Sequence, residues 1–199
     1  MRAALIIVDK EGLEALSMRR VASRLGVGAM SLYYYVPNKD AILDGVYDLV
    51  IAKAQLPTGE VTAEQWVRGA AEAFRRLAIA HPRAFPLLTS QPIPLVDAAA
   101  AEPMEAGLAA FAREGMDAAQ AYAALQAVCV SLLSLGQLES QAVLHPEPGA
   151  ASQVTQLAPA RFPLLSAVPG LPVHSDEIWN SLVGMLVRGL GQPAAADPG

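Results

Sequence analysis

The chain has 199 residues, of which 53% are apolar and 17% charged; that balance excludes a disordered polymer and suffices for one compact domain or two small ones. Fourteen Lys and Arg against nineteen Asp and Glu leave a net charge of −5, an average that argues against a nucleic-acid partner. The average conceals an asymmetry, because residues 1–53 hold seven basic and six acidic side chains and the remainder seven and thirteen. The lone cysteine, Cys129, has no partner for an internal disulfide, as expected in a reducing compartment. Asp9, Lys10 and Glu11 end the first apolar run before an export signal develops, and the run Ala121–Gly136, broken by Gln126 and two serines, falls short of a bilayer span. The expectation is a cytoplasmic protein with no membrane partner.

In chain order the spacing of apolar residues is helical throughout, with no sustained alternation of the kind a strand needs, so the fold class is all-α. Leu5, Ile6 and Val8 predict a first helix over Ala3–Glu11, stopped by Gly12. Ser17 is a good N-cap for a second, two-turn helix whose Val21, Ala22 and Leu25 share a face. Gly26-Val27-Gly28 then makes a tight turn with Val27 directed back into the core, and a third helix runs from Ala29 to Val36. Pro37 breaks it, and Asn38 caps a fourth helix from Lys39 to about Ala54. Leu56-Pro57-Thr58-Gly59 reads as a hinge, followed by a long helix from Thr62 to His81 that ends before Pro82. Phe85–Pro94 is a proline-bounded connector, and a helix from Asp97 stops at Glu114 before Gly115. Asp117 caps a helix reaching Leu144, residues 145–174 form a Pro- and Gly-rich loop, and Asp176–Leu190 is the last helix before a frayed tail from Gln192.

Two short helices around a glycine turn form a helix-turn-helix, which lets the second helix enter a major groove while the first crosses the backbone. Within Ala29–Val36, Leu32 and Val36 lie four apart and face inward, which leaves Ser31, Tyr33, Tyr34 and Tyr35 largely outward. Exposed tyrosines hydrogen-bond phosphates and touch thymine methyls, and Ala29 and Met30 offer apolar contact to base edges. The alternative is that the tyrosines pack on a neighbouring helix with only their hydroxyls in water.

The run Ala15-Leu16-Ser17-Met18-Arg19-Arg20-Val21-Ala22, then Leu25 to Lys39 with its three tyrosines, then Ala41-Ile42-Leu43, closely resembles the DNA-binding head of tetracycline-repressor (TetR) family regulators. The resemblance is specific over residues 1–53 and only architectural beyond. It implies a three-helix helix-turn-helix head, residues 1–53, on a C-terminal helical bundle, residues 54–199, that binds a small inducer and forms a homodimer reading a palindromic double-stranded DNA operator. It further implies phosphate or base contacts from Ser17, Met18 and Arg19, from Ala29, Met30, Ser31, Tyr33, Tyr34 and Tyr35, and from Lys39 at the start of the fourth helix. A cation at Lys39 reaches the sugar-phosphate wall. Family members commonly carry a basic stretch before the first helix, where only Met1-Arg2 stands here; either a phosphate-binding arm is missing, with modest operator affinity expected, or the start codon is assigned too far downstream. Gly28 and Ala29 are small, which throws sequence readout onto Met30, Ser31 and the tyrosines.

In the C-terminal part Phe74, Leu77, Met104, Leu108, Phe111, Tyr122, Leu125, Cys129 and Leu133 recur at helical spacing, with Gln126 and Gln137 as polar points among them. Apolar walls with few polar groups are what an inducer cavity requires, and ordinary core is the alternative for each residue. The helices from Asp117 and from Asp176 are apolar over more than one face and need a partner; in the resembling family they form a four-helix dimer interface, the kind that buries more than about 2,000 Å².

Catalysis finds no motif. His81, His145 and His174 are far apart and give no metal pair, and neither a phosphate-binding glycine loop nor a nucleophile elbow is present. Cys129 has no charged sequence neighbour to activate it. Neither cofactor nor metal is expected. The reading is a ligand-responsive repressor; its rival is a helical small-molecule-binding protein or enzyme whose N-terminal hairpin merely packs.

Overall fold

The computed structural model describes residues 1–90, 98–145, 160–166 and 175–190, and every regular element among them is helical. In order these are α1 (Arg2–Glu11), a 3-10 turn (Leu13–Ala15), α2 (Met18–Leu25), α3 (Ala29–Tyr35), α4 (Lys39–Ile51), α5 (Ala63–Ala80), α6 (Pro86–Thr89), α7 (Ala98–Arg113), α8 (Ala118–Leu144), α9 (Pro163–Ser166) and α10 (Ser175–Leu190). Most of the expected 145–174 loop, the end of the 85–94 connector and the C-terminal tail lie outside the described residues.

The helix starts follow from local chemistry. Ser17 Oγ accepts from the Arg20 N–H at 3.3 Å, and Asn38 Oδ1 accepts from the Ala41 N–H at 2.8 Å. Thr62 and Asp117 each close a full capping box, with Gln65 and Gln120 returning a side-chain acceptor to the N-cap N–H. Each such cap is worth about 1 kcal/mol. Between α2 and α3 the chain reverses at Gly26, whose φ of 71° is left-handed and therefore suits glycine.

The small N-terminal core is built from Leu5, Val8, Leu16, Met18, Val21, Ala22, Leu32, Ile42 and Val46. Leu25 and Val27 are not part of it: both are about half-exposed, contrary to the helix face expected of Leu25 and the inward turn expected of Val27. The turn satisfies itself through backbone, the Val27 N–H donating to the Ala22 carbonyl at 3.0 Å, so no side chain need turn inward. A helix of two turns also ends before a neighbour can cover its last residue.

The C-terminal helices pack as a bundle in which α5 lies on α8 and α7, while α10 leans on α5 and α8. Trp66 of α5 is fully buried; its ring meets Phe111 edge-on at 5.9 Å, and its Nε1 donates at 2.9 Å to the carbonyl of Pro103, which lies inside α7. At 27 residues α8 is long and apolar enough, by length and composition, to cross a membrane, which corrects the expectation that this run falls short. Its inward face is nevertheless core. Leu125, Val128, Cys129 and Leu132 are buried against the bundle, and further along the helix even Glu139 and Ser140 are withdrawn from solvent.

Candidate nucleic-acid interface

The exposed surface of α3 is aromatic. Leu32 anchors the helix in the core, while Met30, Tyr34 and Tyr35 are 83%, 85% and 80% exposed, and Tyr33 is half-exposed. The rings of Tyr34 and Tyr35 meet edge to face, with centroids 5.2 Å apart. At such exposure, packing of these two rings on a neighbouring helix is not the reason for their presence. Their hydroxyls, the Ser31 hydroxyl and the Met30 thioether together form a ridge of hydrogen-bonding and apolar groups facing solvent.

The other expected contact residues flank this ridge unevenly. Arg19 and Lys39 are exposed, and Ala29 and Ser17 are partly so. Ser17 spends an oxygen lone pair on its cap but keeps its O–H to donate. Met18 differs: its side chain is buried in the core and is not available for the contact expected of it. Lys39 opens α4, where the helix dipole disfavours a cation, and Asp40 beside it offsets part of that cost.

Spacing did not single out a second basic feature. An open groove of about 390 Å³ runs between α1 and α2, lined by Ile7, Glu11, Arg19, Arg20, Ser23 and Arg24. Arg20 is paired with Glu11, whereas α2 itself carries no acid. The signal available in the sequence was three arginines in eight residues without a carboxylate.

In the body, Phe74 and Leu77 of α5, Met104 and Phe111 of α7, and Leu125, Cys129 and Leu133 of α8 are all buried, and Leu108 is partly so. Tyr122 departs from this set: it is half-exposed near the start of α8, where its hydroxyl takes a 3.2 Å hydrogen bond from Gln126 Nε2. Its place in the first turns of α8 leaves that ring uncovered. Gln126, Leu133 and Gln137 follow one stripe of α8, and the Gln137 Oε1 is buried with no hydrogen-bond partner among the described residues. Burial pushes the Cys129 thiol up to about 12, which keeps it protonated and unreactive at neutral pH.

A charged cluster joins three helices and left no trace in local spacing. The Arg75 guanidinium of α5 binds Asp176 of α10, lies 3.4 Å from buried Glu139 of α8, and sits 5.4 Å over the Trp179 ring. The hydrogen bond to Asp176 raises its pKa above the usual arginine value, against the opposing effect of burial. Its partners stand 64 and 101 residues away in the chain. Among the described residues no group of three His, Cys, Asp or Glu gathers as a metal site would.

Residues 1–46 match the family of bacterial regulatory proteins of the tetR type. The HTH-type transcriptional repressor DrrR1 of Streptomyces coeruleorubidus is 43% identical over 107 residues, covering 53% of this chain and 39% of that protein. An HTH-type transcriptional regulator of Saccharopolyspora erythraea is 33% identical over 161 residues, covering 80% of this chain and 67% of that one. The chain thus aligns with about two fifths of the first relative and two thirds of the second. The structure of the TetR family protein ActR of Streptomyces coelicolor in complex with actinorhodin superimposes with a TM-score of 0.80 at 26% identity, over 95% of this chain and 93% of ActR. A matched DNA-binding head, a relative alike over most of its length and the same helical architecture agree: the chain belongs to the TetR family of bacterial regulatory proteins.

Proposed function

We propose that the protein is a cytoplasmic, ligand-responsive transcriptional repressor in which residues 1–53 bind DNA and residues 54–199 bind an inducer and dimerise. The observation that carries this reading is the Met30–Tyr34–Tyr35 ridge, a set of large side chains left in water on a helix otherwise anchored by Leu32. Two such ridges related by a twofold axis suit successive major grooves about 34–36 Å apart. Arg19 and Lys39 supply the phosphate contacts that set register and make binding salt-dependent.

Dimerisation is supported by the outer faces of α8 and α10. Ala123, Ala127, Val130, Ser134, Leu138 and Gln141 form an exposed stripe along α8, and Ile178 and Met185 are exposed on α10. Small and aliphatic groups at this spacing suit a four-helix contact with a second copy.

The inducer site lies in the body core among Phe74, Leu77, Met104, Phe111, Cys129 and Leu133. The partnerless Gln137 acceptor supports an uncharged, largely apolar ligand carrying at least one hydrogen-bond donor. The ActR complex holds actinorhodin in the same fold. Binding acts by population shift: an inducer that prefers mis-spaced heads lowers operator affinity by its differential affinity for the two states.

The test is selection of duplexes from a random pool by the purified protein at fixed salt, followed by a mobility shift on the enriched sequence and on DNA flanking the gene. Recovery of a palindrome bound by two chains is the expected outcome. Absence of any enriched duplex would instead favour a small-molecule-binding protein without a DNA partner.

A further inference from the structure

We infer that the Asp9–His81 contact, made by the segment His81–Leu88, is a positioning pair that fixes which half-site spacing the dimer accepts. The inference rests on the DNA-binding reading and adds residues that touch neither DNA nor the expected ligand.

The segment is a compact unit at the end of α5. The His81 N–H bonds to the Leu77 carbonyl at 2.8 Å, and the His81 carbonyl accepts from Ala84 and Phe85 at 3.0 and 2.8 Å. These bonds tie the His81 backbone to that of Phe85, so a displacement of one carries the other.

At the head side, His81 Nδ1 lies 3.0 and 2.9 Å from the two carboxylate oxygens of Asp9 on α1, and the imidazole is only 16% exposed. The Arg83 guanidinium reaches the Asp9 carbonyl at 3.4 Å, so one residue of α1 is held through both side chain and backbone. Polar contacts of this kind are directional, whereas the apolar contacts of α4 with α6 and α7 tolerate sliding. The polar pair therefore defines an angle that the apolar contacts leave loose.

At the body side, Phe85 is fully buried and seated on the backbone of α8 at Gly136. A Cβ at Gly136 would stand 2.3 Å from Phe85 Cζ, so the ring occupies the space that any side chain would take. The next residue along α8 is Gln137, whose Oε1 lacks a hydrogen-bond partner among the described residues. The expected ligand wall and the seat of Phe85 are thus adjacent positions on one helix, and α6 itself touches both α4 and α8.

The experiment uses the full-length protein and the duplex it selects from a random pool, in the selected spacing, with the spacer lengthened or shortened by one base pair, and as a single half-site. Fluorescence anisotropy at fixed salt reads the affinities. Asp9→Asn and His81→Gln are each expected to reduce discrimination between spacings by about two- to thirty-fold. Single half-site affinity should stay within about twofold, the scale of uncoupled sites. Gly136→Ala should blur spacing from the body side, and Asp9→Glu should restore most of the discrimination. Unchanged discrimination in Asp9→Asn and Gly136→Ala overturns the inference, as does a loss that merely follows half-site affinity or unfolding temperature. A wild-type protein that selects no duplex overturns the DNA reading itself, a failure distinct from either of these.

Discussion

The recognition helix and the core of the body place their large aromatic side chains in opposite ways. In the head, α3 commits one leucine to the core and leaves Met30, Tyr34 and Tyr35 in water. In the body, Trp66, Phe74, Phe85 and Phe111 are all withdrawn from solvent. Exposed aromatic surface is costly to keep without a partner, so the chemistry of α3 is directed outward, while that of the bundle core is enclosed. The difference also sets how each is organised: contacts in the head link helices close in sequence, whereas the body joins residues such as Trp66 and Pro103 across 37 positions.

The sharpest way to break this contrast is Trp66→Ala. Removing a buried indole that also satisfies the Pro103 carbonyl is expected to cost about 3–5 kcal/mol, read as a fall in the denaturant midpoint. A loss below about 1 kcal/mol, the cost of a tolerated core change, would mean that the body does not depend on this packing.

Tyr34→Ala probes the opposite case. It should weaken operator binding by about 1–3 kcal/mol while moving stability by less than about 0.5 kcal/mol, because the ring has no core contact to lose. Equal operator affinity in titrations of mutant and wild type would remove Tyr34 from the interface.

Cys129 gives the enclosed interior a pH signature. Its pKa stands near 12 in the folded chain against 9.0 when unperturbed, so only the unfolded state releases the proton between these values. The resulting stabilisation is complete below pH 9 and declines towards pH 12, by up to about 1.4 kcal/mol per pH unit. Comparing urea unfolding of wild type and Cys129→Ala at about pH 8 and about pH 10, either side of the unperturbed thiol value, isolates this slope; identical slopes would refute it.

The smallest effect is expected from Gln137→Leu. Replacing a buried acceptor that has no partner among the described residues should raise the thermal midpoint of the free protein slightly, by no more than about 1 kcal/mol in stability. A clear drop would show that the amide already has a structural duty.

Legibility followed the range of the interactions. Caps at Ser17, Asn38 and Asp117, the helix start at Thr62, the Gly26 turn and the outward tyrosines were readable because each depends on residues within a few positions. Val27 misled because a tight turn does not fix where its side chain points, and Leu25 because helical spacing assigns a face but not whether anything covers it. Tyr122 was grouped with the enclosed residues for the same reason, and it lies half in solvent.

By itself the sequence determined the all-α class, the helix starts and the character of the recognition helix, since these arise from backbone capping, glycine geometry and local side-chain spacing. Only the tertiary structure decided that Asp9 meets His81, that Phe85 rests on Gly136 and that Arg75 gathers Glu139 and Asp176. Those pairings join chain segments tens of residues apart. Their geometry is set by how whole helices pack, and neither spacing nor composition encodes it.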